Sequence, residues 1–177
     1  MKNTESSAAV EMVIFGALGD LSRRKLLPAL YQLDLAGLIA ADTRIVGVAR
    51  HEYSEQEFTD FVIENLTNFV SEGLNDEVFK RFLSRLVYQQ LDFKEVNSYS
   101  ALATTLSKGN ANRVYYFSTP PAIYGDITEG LFNAALINDD DRVVMEKPIG
   151  HCLESSKVIN DMVSKRFNEN QIYRIDH

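Results

Sequence analysis

The stretch VEMVIFGALGDLSRRKLLPALYQL, residues 10–33, decides how the rest of the chain is read. It opens on a short apolar run, Val10 to Phe15, interrupted by Glu11, which reads as a buried strand. The run passes through Gly16 and Gly19 into a helical pattern from Leu21 to Leu35 that carries Pro28. Glycine between a buried strand and a helix start lets the backbone turn tightly, and the helix start offers free N–H groups and a positive dipole end to an anion. Gly16, Ala17, Leu18, Gly19, Asp20 and Leu21 thus form a GxxGDL variant of the fingerprint that cradles a pyrophosphate. A glycine turn without any ligand is the plain alternative.

Working outward, short apolar runs alternate with longer helical patterns. Strands are expected at Thr43 to Ala49, Val87 to Leu91, Val114 to Phe117, Arg142 to Glu146 and Ile172 to Ile175. Ser54 with Glu57 three residues on is a capping-box signature, after which Phe58, Phe61, Val62, Leu66 and Phe69 recur at helical spacing. Val78, Phe79, Phe82, Leu83 and Leu86 repeat that pattern, and further helices are expected at Val96 to Leu106, Ile123 to Leu136 and Ser155 to Phe167. Alternation of this kind builds βαβ units. The expected fold is a single α/β domain, doubly wound and Rossmann-like, with about six strands in a mostly parallel sheet over residues 10–177 and a flexible tail at residues 1–9.

Composition narrows the partners. The chain has 177 residues, 18 basic and 25 acidic, so its net charge is −7, which argues against a surface built for nucleic acid. A hydrophobic content of 45% suits a chain with a real core. The one cysteine, Cys152, forms no intrachain disulfide, and no CxxC or Cys/His cluster has metal-ligand spacing, so no metal is expected and a reduced, cytoplasmic setting is. The apolar segment near the N-terminus is far too short for a membrane span.

In open α/β sheets ligands bind at the carboxyl ends of the strands. The second strand ends at Arg50, where a guanidinium suits a coenzyme 2′-phosphate and a carboxylate would repel it; an exposed surface arginine is the other reading. The third runs into Asp92, and the fourth into Ser118, Thr119, Pro120 and Pro121. The fifth ends in EKPIG, which aims Lys147 into the crevice unless the motif is merely a turn. The last ends in Asp176 and His177, a carboxylate beside an imidazole, read either as an acid/base pair or as an unstructured terminus. Arg23, Arg24 and Lys25 form a basic run near the first turn, most simply a solvated face. His51 and His151 read as surface or turn residues, and Cys152 as packing.

Taken together, GALGDLSRRKLLPALYQL, GVAR, STPP followed by Tyr124, RVVMEKPIG and QIYRIDH resemble, in order and spacing, the coenzyme domain of the glucose-6-phosphate dehydrogenase family, its bacterial members most of all. The resemblance covers about Val10 to His177. It implies oxidation of glucose 6-phosphate to the lactone with hydride transfer to NADP, NAD being the alternative coenzyme, in the pentose phosphate pathway. It matches Gly16, Gly19 and Asp20 to the pyrophosphate loop, Arg50 to the 2′-phosphate arginine, and Tyr124, with Asp92, to the coenzyme cleft. Lys147 matches a lysine touching both substrate and coenzyme, Lys25 and His177 match residues near the sugar phosphate, and Asp176 matches the carboxylate that orients the catalytic histidine. Leu18 departs from the pattern, since relatives often carry there a polar or basic residue that grips the 2′-phosphate, and the preference for NADP over NAD is thereby left open.

The resemblance also implies a large substrate domain, with the general-base histidine, beyond the RIDH motif and outside these 177 residues. The chain is accordingly expected to be the coenzyme-binding portion of a homo-oligomeric enzyme, inactive alone, with no nucleic-acid or membrane partner. Two alternatives stand beside it: a stand-alone nucleotide-binding module, and a sugar oxidoreductase of the glucose–fructose oxidoreductase type.

Overall fold

The computed structural model describes residues 9–106, 112–146 and 153–176. Its strands are β1 (Val10–Phe15), β2 (Arg44–Ala49), β3 (Leu86–Gln90), β4 (Asn112–Phe117), β5 (Arg142–Glu146) and β6 (Ile172–Ile175). They form one six-stranded sheet in the order β3-β2-β1-β4-β5-β6, and each neighbouring pair is parallel. The chain winds outward from β1 in one direction and then, from β4, in the other, which is the doubly wound arrangement the alternating pattern predicts.

Helices α1 (Leu27–Leu35), α2 (Glu55–Phe69) and α3 (Asp76–Ser84) cover one face of the sheet, and α4 (Tyr99–Thr105), α5 (Tyr124–Asn133) and α6 (Leu153–Ser164) the other. Two apolar cores result, and strand alternation feeds both. Val13, Phe15, Val46 and Val48 point into the core with Tyr99, Leu102, Ile127 and Leu131, while Ile14, Ile45 and Ala49 point into the core with Leu27, Tyr31, Phe58 and Phe82. Gly47 leaves room for the Phe58 ring, since a Cβ there would lie 2.4 Å from it.

Local signals hold where the physics is local. The Ser54 hydroxyl accepts from the Glu57 amide at 3.1 Å and the Glu57 carboxylate accepts from the Ser54 amide at 2.7 Å, so the capping box starts α2 as expected. Leu86 corrects the reading: it opens β3 instead of continuing α3, because the chain leaves the helix at Arg85. The helical pattern from Leu21 also divides. Ser22–Leu26 is a π turn, with the Leu27 amide donating to the Ser22 carbonyl, and α1 proper starts only at Leu27. Pro28 has no N–H to donate and its ring crowds the carbonyl four residues back, a clash that the wider preceding turn relieves.

Candidate functional site

The sheet changes winding direction between β1 and β4, and there the loops leave in opposite directions and open a crevice. Gly16 follows β1 with φ +84°, and a Cβ at this position would sit 2.3 Å from the Ser118 carbonyl oxygen after β4. Glycine is therefore needed for the backbones of β1 and β4 to close on each other. The Gly16 and Ala17 amides both donate to the Val48 carbonyl, at 2.9 and 3.2 Å, and the Gly19 amide donates to Gly16 at 3.0 Å. The first helical bond runs from the Arg23 amide to the Gly19 carbonyl at 3.1 Å. It leaves the amides of residues 20–22 without intrahelical acceptors, at the positive end of the helix, which is an anion site in waiting.

A cavity of about 450 Å³ runs from this turn across the ends of the neighbouring strands. Gly16, Leu18 and Gly19 form one wall, Ala49, Arg50 and His51 the next, Asp92, Phe93 and Lys94 the third, and Ser118, Thr119, Pro120 and Ile123 the last. The rim is held by side chains of β3. The Gln90 amide group donates to the Arg50 carbonyl at 3.0 Å, and the Tyr88 hydroxyl donates to the His51 carbonyl at 2.5 Å. Burial, and Tyr53 beside it, push the Tyr88 hydroxyl up to about 12, so it remains a donor throughout the neutral range.

Four buried side-chain polar atoms among the described residues lack a hydrogen-bond partner: Ser22 Oγ, Arg23 Nε, Ser118 Oγ and Thr119 Oγ1. Ser22 and Arg23 lie on the π turn that follows Gly19, and Ser118 and Thr119 line the opposite wall. A buried polar atom left without a partner costs about 1–3 kcal/mol. Of the four, the Ser118 and Thr119 hydroxyls line the cavity that the glycine turn and its free helix-start amides also border, and such groups fit the oxygen-rich backbone of a dinucleotide.

Of the residues expected to hold a coenzyme, the structure brings Gly16, Leu18, Gly19, Arg50 and Asp92 to one cavity. Others stand elsewhere. Ala17 is fully buried in the core under the turn, and its amide is already used. Asp20 is exposed and turns to Arg24, 2.8 Å away, and to Arg23 at 3.5 Å; Leu21 is half-buried outside the cavity lining. Tyr124 also stands apart from the cavity lining. The 3-10 turn Pro121–Ile123 puts Ile123 on the cavity wall and turns Tyr124 into the core, where it is 0% exposed, packs on Phe117 and accepts from the Glu146 amide at 3.3 Å. It braces the end of β5 from outside that lining, and burial raises its hydroxyl to about 12.

Lys25 is exposed on the π turn, outside the lining, and Asp176 is exposed just past β6. Lys147, Pro148, His151, Cys152 and His177 lie outside the described residues. Sequence reasoning missed two rim residues, Lys94 and His51. His51 is indeed exposed, but it faces the cavity, and its position right after Arg50 was the available signal.

Comparison with known proteins agrees with this architecture. Residues 13–177 match the family model described as glucose-6-phosphate dehydrogenase, NAD binding domain. The glucose-6-phosphate 1-dehydrogenase of Dickeya dadantii is 45% identical over 177 residues, and that of Zymomonas mobilis 42% over 178; each alignment covers the whole of this chain and 36% of the relative. The crystal structure of the Mycobacterium avium glucose-6-phosphate 1-dehydrogenase superposes with a TM-score of 0.85 at 33% identity, over 95% of this chain and 36% of that one. A glucose-6-phosphate dehydrogenase solved in complex with its substrate glucose 6-phosphate gives 0.83 at 29% identity, over 99% of this chain and 38% of that one. The chain thus spans little more than a third of the length of these relatives. It belongs to the glucose-6-phosphate dehydrogenase family and corresponds to that family's NAD-binding domain.

Proposed function

We propose that this chain is the coenzyme-binding portion of an NADP-dependent glucose-6-phosphate dehydrogenase, an enzyme that oxidises C1 of glucose 6-phosphate to the lactone. The observation that carries the reading is the single cavity joining the Gly16–Gly19 turn to Arg50. Those are the two places, one strand apart, where a dinucleotide needs a pyrophosphate cradle and a cation for a 2′-phosphate. The nicotinamide, when bound, supplies the hydride acceptor. The amides of residues 20–22 hold the pyrophosphate, Arg50 pairs with the 2′-phosphate, and the Ser118 and Thr119 hydroxyls orient the coenzyme from the β4 side. In the whole enzyme Lys147 touches both substrate and coenzyme, Lys25 and His177 lie at the sugar phosphate, and Asp176 orients the catalytic histidine. A homo-oligomer in the cytoplasm, without nucleic-acid or membrane partners, completes the reading. No helix among the described residues is long and apolar enough to cross a membrane.

The test is direct because NADPH is excited at wavelengths that protein aromatic side chains do not absorb, so its emission reports on the coenzyme alone. Saturable enhancement of NADPH emission is expected, with no turnover of glucose 6-phosphate by these 177 residues alone. Absence of any coenzyme binding would contradict the assignment of the cavity, and lactone formation by this chain would contradict its reading as a coenzyme-binding portion only.

A further inference from the structure

We infer that Lys94 is a specificity-determining residue, a second cation that with Arg50 selects a coenzyme bearing a 2′-phosphate; this rests on the reading of the cavity as the coenzyme site. Leu18, on the wall beside the glycine turn, offers that phosphate neither charge nor hydrogen bond. Lys94 lines the same cavity from the turn after β3.

Its placement is fixed by the turn that carries it. The Leu91 amide donates to the Ala49 carbonyl at 2.9 Å, prolonging the β2–β3 ladder to the edge of the crevice. The Asp92 carboxylate then accepts from the Lys94 amide at 3.1 Å, and the Asp92 carbonyl accepts from the Glu95 amide at 3.1 Å and the Ser98 hydroxyl at 2.9 Å. Phe93 anchors the turn from below: its ring, 7% exposed, meets Phe15 edge-on at 5.8 Å, and its carbonyl accepts from the Tyr99 hydroxyl at 2.8 Å. With Phe93 directed inward, the next residue, Lys94, is left at the rim. Arg50 is held on the adjacent strand end by Gln90, so the two cations stand on clamped backbones facing one cavity.

The two cations divide the work by their chemistry. The guanidinium of Arg50 suits planar, bidentate pairing with phosphate oxygens, while the Lys94 ammonium is a compact charge on a flexible stem. Asp92, the carboxylate on the same wall, spends one oxygen on the Lys94 amide and opposes a phosphate that has only one cation beside it. Two cations outweigh it. A coenzyme with a free 2′-hydroxyl brings only the pyrophosphate charge that NADP carries too, so the discrimination Lys94 adds falls on the 2′-phosphate.

The experiment is parallel titration of the chain and its Lys94→Met and Lys94→Arg variants with NADP and NAD by calorimetry at low ionic strength. Affinity for NADP is expected to fall roughly two- to fivefold in Lys94→Met, as for an exposed charge pair, with NAD affected less and most of the loss restored by arginine. An unaltered NADP affinity in Lys94→Met, or an equal loss for both coenzymes, would overturn this assignment alone. A wild-type chain that binds neither coenzyme would overturn the parent reading and this one with it.

Discussion

The two ends of the sheet treat buried polar groups in opposite ways. At the amino ends of the strands, Glu11 is 2% exposed and pairs with Arg44 at 2.7 Å on one neighbouring strand and with Arg113 at 3.3 Å on the other. Nearby Asp34, 1% exposed, takes Arg85 at 2.9 Å, and Arg85 also donates to the carbonyls of Ala40, Ala41 and Thr43. Asp141 accepts from the amides of Arg113 and Asn138. At the carboxyl ends stand instead the four buried polar atoms without partners, the free helix-start amides and a cavity rimmed by Arg50 and Lys94. One end closes its charges into networks and the other leaves donors open. The difference separates residues that hold the fold from residues that wait for a ligand.

Substitution sharpens that contrast. Asp34→Ala strands the Arg85 guanidinium, which is 2% exposed, inside the protein, and breaking a buried pair in this way costs about 3–5 kcal/mol. A large drop in the urea midpoint is expected, with coenzyme affinity of the folded fraction unchanged. A weaker coenzyme site at full stability would erase the distinction between the two ends. Gly16→Ala should act on both counts, since the backbone there has φ +84° and the new Cβ meets the Ser118 carbonyl at 2.3 Å. Roughly 1–3 kcal/mol of stability is expected to go, together with coenzyme binding, read by thermal unfolding and titration. Wild-type stability in this variant would mean that the turn relaxes freely.

The smallest effect on the fold is the most informative. Ser118→Ala combined with Thr119→Val removes two hydroxyls that have no partner in the free chain, so its stability should hold or rise slightly, while affinity for NADPH falls several-fold. Loss of stability with unaltered affinity would place these hydroxyls with the structural networks of the other end.

The sequence was legible where its signals are local or periodic. β1, β5 and β6 fall where their apolar runs place them, and β2, β3 and β4 shift by one or two residues at their ends. Ser54 and Glu57 specify the start of α2 within four residues. The π turn Ser22–Leu26 has no period of its own to read, and Leu86 fits a helical spacing by coincidence although its backbone pairs with Ile45 in the sheet. The inward direction of Tyr124 has no signal of its own, because it depends on the short turn before it. The site was legible in outline because each part follows a strand end. Its rim was not, since Lys94 and Arg50 come to one cavity only after β2 and β3 pair, and the Asp34–Arg85 bond joins residues 51 positions apart.

The central claim is that the open end of the sheet binds a dinucleotide with Arg50 on its 2′-phosphate. Titration of the chain and of Arg50→Ala with NADP and NAD tests it most directly. A charge-assisted pair of about 1.5–3 kcal/mol predicts that NADP affinity falls roughly ten- to a hundredfold in the variant while NAD affinity and the unfolding midpoint stay as they were. Equal NADP affinity in the two proteins would contradict the account.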